Sequence, residues 1–113
     1  MRELIRSIRD FAQKRDWNKF HSPKNLAMAL SVEVSEIVEH FQWLTEDESN
    51  RLNPEKLYKI KDEIGDVMIY LANLSDMLGI DPIEAAKEKI EKNNVKYPVE
   101  KVKGKSLKYT EYK

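Results

Sequence analysis

Apolar residues recur along this chain every three or four positions, the period of a helix with one buried face rather than the alternation of a strand. Leu4, Ile5, Ile8, Phe11 and Ala12 predict a first helix from about residue 2 to residue 15. Residues 16–21, polar and aromatic, read as a connection. Ser22-Pro23 pairs an N-cap residue with a proline suited to the first helical position. Behind it Leu26, Leu30, Val34, Ile37, Phe41 and Leu44 form one long amphipathic stripe. The acidic stretch 45–53 reads as a loop. Asn53-Pro54 repeats the start signal, and Leu57, Ile60, Ile64, Val67, Leu71, Leu74 and Leu78 carry the next stripe to Gly79, a helix-ending residue. Asp81-Pro82 opens a fourth helix through Ile83, Ala86 and Ile90 to about Asn93. From Val95 onward the chain is Lys-rich, with Tyr97-Pro98 and Tyr109 and no helical period, so 95–113 is expected as an extended tail. The sum is an all-α, antiparallel bundle of about four helices in a single domain, 1–113, with the two long helices at its centre.

Composition narrows the picture. At 113 residues and 41% apolar, the chain affords a modest core, and a better one if subunits share it. Lys plus Arg and Asp plus Glu are 20 each, which lacks the basic excess of a nucleic-acid binder. No apolar run approaches the ~18 residues of a membrane span, and residues 1–9 do not resemble a signal peptide. Cysteine is absent, excluding disulfides and thiolate metal sites and agreeing with a cytoplasmic protein.

Candidate chemistry lies in two carboxylate pairs, Glu33 with Glu36 and Glu63 with Asp66, each three residues apart on one helical face. Glu33 and Glu63 sit at the edges of the two longest stripes, and their partners lie ~60° further round. Tyr70 follows Asp66 by one turn. In a chain that is 35% charged, such pairs also arise on solvated faces. Helices packed through these stripes would, however, converge four repelling anions at one rim, tolerable with divalent cations between them. Oxygen-only ligands suit Mg²⁺, or Mn²⁺, rather than Zn²⁺. Trp43 lies outside the stripe, where it either packs on another subunit or offers a flat wall to a nucleobase. Trp17 and His21, before the second helix, either plug the bundle end or line a pocket. Glu39 and His40 stay outside the candidate set, since a lone histidine beside a core is more often structural.

WNKFHSPKNLAMALSVEVSEIVEHFQW, followed by EIGDVMIYLANLSD, KNNVKYP and KYTEY, resembles the MazG-like, all-α NTP pyrophosphatase superfamily in its dCTP pyrophosphatase-like branch, over nearly the whole chain. The resemblance implies Mg²⁺ ligands at Glu33, Glu36, Glu63 and Asp66. It implies a base pocket from Trp17, His21 and Trp43, nucleotide contacts at Tyr70, Asn93 and Lys96, and homo-oligomers, dimers or tetramers, with sites shared between subunits. Relatives can carry a histidine nine residues before the loop tryptophan; here that position is Ile8.

The implied activity is Mg²⁺-dependent hydrolysis of a nucleoside triphosphate at its α-phosphorus, giving monophosphate and pyrophosphate. The expected substrates are pyrimidine deoxynucleotides such as dCTP, and the expected role is cleaning of the nucleotide pool. Glu36 or Glu63 would take the proton of the attacking water. Two readings compete: a phosphoribosyl-ATP pyrophosphohydrolase, and a non-catalytic helical oligomerisation protein whose acids are solvated surface. A ferritin-like di-iron site is disfavoured because its Glu-x-x-His pairs are missing.

Overall fold

Three of the four main helices begin at a cap-then-proline step. Ser22 Oγ accepts the backbone N–H of Asn25 at 3.1 Å, and Asn53 Oδ1 accepts that of Lys56 at 2.7 Å. Asp81 Oδ1 accepts from Ile83 and Glu84 at 2.9 and 3.2 Å. These caps satisfy amides that have no partner inside their own helix. The computed structural model describes residues 1–104. It contains α1 (Arg2–Lys14), a 3₁₀ turn (Asn18–Phe20), α2 (Pro23–Phe41), α3 (Glu46–Ser49), α4 (Pro54–Met77), α5 (Pro82–Lys96) and α6 (Val99–Val102). No strand forms among the described residues.

The chain divides into two compact units, residues 1–80 and residues from 81 onward. In the first, α2 packs along α4, and α1 packs on α4 as well. His21 meets Asn73 and His40 meets Glu63, so numbers fall along α4 as they rise along α2: the two run antiparallel. Leu26, Ile60, Ala72 and Ala12 are buried between these helices. Arg9 clamps α1 to α4 through a two-pronged ion pair with Asp76, Nε to Oδ2 at 2.7 Å and a terminal nitrogen to Oδ1 at 2.5 Å. The second unit holds α5 and α6.

Three expectations need correction. Residues 45–53 are not all loop: Thr45 and Glu48 form a reciprocal capping box that stabilises the single turn α3. The stripe of α2 stops at Phe41, and Leu44 lies in the turn beyond it. The tail is not extended from Val95, because α5 continues to Lys96. It breaks at Tyr97, which precedes Pro98 and is driven out of the helical region (φ −121°, ψ 72°). One further turn, α6, follows. Tyr109 and the rest of 105–113 lie outside the described residues.

Candidate metal centre

The antiparallel packing of α2 on α4 sets Glu33 and Glu36 opposite Glu63. One carboxylate oxygen from each of the three lies within 4.8 Å of the others. Each is half-buried, and Glu33 Oε2 and Glu63 Oε2 are sealed from solvent with no hydrogen-bond partner. A buried acceptor left unmatched is costly, and a bound cation, or a proton, would satisfy both of these oxygens. Asp66 stands more exposed and outside the triad, but its charge reaches both Glu33 and Glu63.

The electrostatics follow from that geometry. Hydrogen bonding to Glu36 is the main reason the Glu63 carboxyl is pushed up to about 7, helped by desolvation and by the charges of Glu36, Glu33 and Asp66. Burial raises Glu33 first of all, with Glu36 and Asp66 adding to it and a hydrogen bond to Glu63 working against it. Unneutralised, the cluster thus holds protons at a pH where carboxyls are normally ionised. The same oxygen-rich, crowded arrangement can hold a divalent cation, which would displace them. His40, 17% exposed at its side chain, brings Nε2 to 4.0 Å from Glu63 Oε1. The apolar period places His40 near the core but gives no sign of this contact.

Beside the acids, sharing Asp66 with them, lies a cavity of about 230 Å³ between α1, α4 and the connection before α2. Trp17, His21 and Tyr70 line it, as expected, together with Ile8, Phe11 and Asn73, which were not singled out for a site. The local chain explains how Trp17 arrives there. Asp16 takes a left-handed conformation (φ 53°), and the N–H of Trp17 bonds back to Ala12 O at 2.9 Å. The indole then meets Phe11 edge to face, centroids 5.5 Å apart. That is the double-bonded helix ending with its customary apolar contact.

Trp43 is not in this cavity. It lies beyond the far end of α2 from His21, roughly 30 Å along the axis at 1.5 Å per residue, and is 86% exposed. Asn93 and Lys96 share a face of the last turns of α5, in the second unit. A larger cleft of about 370 Å³, between α3 and the start of α4, has walls of opposed charge, among them an Arg51–Asp47 ion pair, and no acidic cluster.

Fold and site together define an all-helical protein that aims carboxylates from two packed helices at one point. The chain belongs to the MazG-like family, whose family model matches residues 28–112. It is 35% identical over 113 residues to dCTP pyrophosphatase 1 of Mus musculus and 36% identical to that of Homo sapiens, matching 98% of this chain in each case. It spans 66% of the length of those relatives. A pyrophosphatase from Archaeoglobus fulgidus has a similar structure, with a TM-score of 0.82 and 46% identity over 87% of this chain and 92% of that one.

Proposed function

We propose that the protein is a divalent-metal-dependent nucleoside triphosphate pyrophosphohydrolase that releases nucleoside monophosphate and pyrophosphate. One observation carries the reading: three carboxylates from two helices converge within 4.8 Å, with two buried oxygens left without partners. A protein whose acids were merely solvated surface would have no reason to bury them against each other. The donor set is all oxygen, which fits Mg²⁺ or Mn²⁺, held by Glu33, Glu36 and Glu63 and completed by Asp66. A cation so held supplies neutralisation of triphosphate charge and makes the attacking water more acidic.

The remaining work falls to the chain's own side chains. Glu36 or Glu63, whichever is less committed to the cation, would accept the proton of the attacking water. Asp66 and Tyr70, one turn apart, lead from the acids into the cavity, where Trp17 supplies a stacking face. Because Trp43 stands roughly 30 Å from that cavity along α2, it flanks the same base only if a second copy supplies it. On this reading the enzyme is a homo-oligomer with shared sites. Asn93 and Lys96 complete the proposed nucleotide contacts by family resemblance. The proposed substrates are pyrimidine deoxynucleoside triphosphates, dCTP among them, as the names of the mammalian relatives suggest.

Incubation with dCTP, dTTP, dUTP and ATP in Mg²⁺, followed by product analysis, tests this. Monophosphate and pyrophosphate in equal amounts are expected; orthophosphate without pyrophosphate rejects the reaction. Glu63→Gln keeps the shape and removes the charge, so turnover should drop at least about 100-fold with helicity intact.

A further inference from the structure

Along one face of α4, Asp66, Tyr70 and Asn73 lie in successive turns, about 10 Å from first to last. All three line the cavity described above. The Asp66 end adjoins the acidic cluster. The Asn73 end is neutral: its amide nitrogen lies 3.3 Å from His21 Nδ1, and both side chains are half-buried. Of the other walls, Ile8, Phe11, Ala12 and Ile69 carry no side-chain hydrogen-bonding group, and Trp17 carries only its indole N–H. The cavity is therefore graded, from anionic at one end, through hydrocarbon and indole, to a single amide–imidazole pair.

We propose that Asn73 is the base-reading residue of this pocket. A carboxamide has two N–H donors and one oxygen acceptor. One N–H is committed to His21, which holds the amide plane, and the second N–H and Oδ1 stay available side by side. That donor–acceptor pair complements the edge of cytosine, whose N3 accepts and whose N4 amine donates; thymine and uracil, which donate at N3 and accept at O4, meet it only with the ring shifted or the amide turned over. The same bidentate logic lets asparagine read a base edge in a nucleic-acid groove. The spacing agrees, because a 5′-nucleotide with its phosphate at the acids and its ring against Trp17 directs the far edge of a pyrimidine toward Asn73. Ile8 can only pack against the ring, so the polar reading of a base edge falls to the amide–imidazole end of the pocket. A site built around a hydrogen-bonding group penalises any ligand that leaves the group unmatched.

The inference rests on the hydrolase reading for its turnover arm and not for its binding arm. Titration calorimetry in Mg²⁺ would compare dCMP and dTMP with deoxyribose 5-phosphate, which lacks a base. Turnover would compare dCTP and dTTP with deoxyribose 5-triphosphate. In Asn73→Leu the preference for base-bearing over abasic ligand should fall about tenfold in both arms, the worth of a lost hydrogen bond in a half-buried pocket. Asn73→Ser, smaller and lacking the amide, should give the same fall should the leucine disturb folding. A uniform loss that includes the abasic ligands would make Asn73 a structural support and overturn the proposal, as would no change. A wild-type protein that prefers dCMP to the sugar phosphate, loses that preference in Asn73→Leu, yet releases no pyrophosphate sinks the hydrolase and supports the base reader. One that hydrolyses triphosphates with no preference for a base does the reverse.

Discussion

Glu63 sits where two costs meet, since ionising it puts a charge into a half-buried site already facing Glu33 and Glu36. Its folded-state value near 7 lies above the ordinary 4.5, so the folded protein holds a proton that the unfolded chain has released between those limits. The stabilisation is complete below about pH 4.5 and is lost as pH rises through about 7. Glu33 moves in the same direction. Asp76 and Glu48, held below the ordinary carboxyl range by Arg9 and by the Thr45 cap, lose their contributions only in stronger acid and do not mask the effect. Metal-free protein should therefore melt several degrees lower at about pH 8 than at about pH 5. Mg²⁺ should restore the melting temperature at the higher pH and do little at the lower, and Glu63→Gln should flatten both dependences. A metal-free melting temperature that climbs steadily over this range would remove the crowded-acid account. At this scale the sequence is informative only about periodicity. Helical spacing puts Glu33 and Glu63 at the edges of apolar stripes, but the neighbours that matter most to the cavity, Asn73 and His21, are 52 residues apart and meet only through packing.

Each element that was legible in the chain carries its own punctuation, and each error falls where punctuation is weak or was passed over. Ser22-Pro23, Asn53-Pro54 and Asp81-Pro82 fix three helix starts. At the end of α4, Gly79 (φ 68°) lets Ile80 N–H reach Ser75 O at 2.8 Å. The capping box at Thr45 and Glu48 is equally readable, but four acidic or polar neighbours masked it as loop. Lys92, Asn93 and Lys96 have no apolar period, so the last turns of α5 gave no signal although nothing in them breaks a helix. Asp16 is the informative exception, a left-handed helix ending without glycine. A side chain in that region costs about 1–2 kcal/mol, against about 0.5–1 kcal/mol for the extra freedom glycine loses on folding. Asp16→Gly should thus gain about 0.5 kcal/mol, or about 2–4 °C in melting temperature; the exposed Asp16–Lys19 ion pair it sacrifices contributes little. Asp16→Val, β-branched and unable to adopt the turn comfortably, should lose more than about 1 kcal/mol and alter Trp17 fluorescence. Equal melting temperatures for the two variants would mean the turn does not constrain Trp17.

The whole molecule leaves much apolar surface uncovered. Among the described residues four apolar side chains are buried, whereas Met28, Val32, Val34 and Val38 on α2 and Ile64 and Met68 on α4 are each at least 41% exposed. Those of α2 fall beside the stripe that packs on α4, so the apolar surface of this helix is wider than that one contact covers. In the homo-oligomer proposed above, further copies of the chain would cover those exposed apolar faces. The same proposed assembly would bring together Trp17 and Trp43, which one protomer holds at opposite ends of α2. Replacing both Met28 and Val32, one turn apart and each more than half exposed, by glutamate should convert the assembly to monomer in analytical ultracentrifugation. Turnover should fall with it, because the second tryptophan leaves the pocket, while the helical signal of α1, α2 and α4 persists through their own buried contacts. A double variant that stays assembled places the interface on another face of α2. A monomer that retains full activity would mean that each chain builds its site alone and that Trp43 has no part in it.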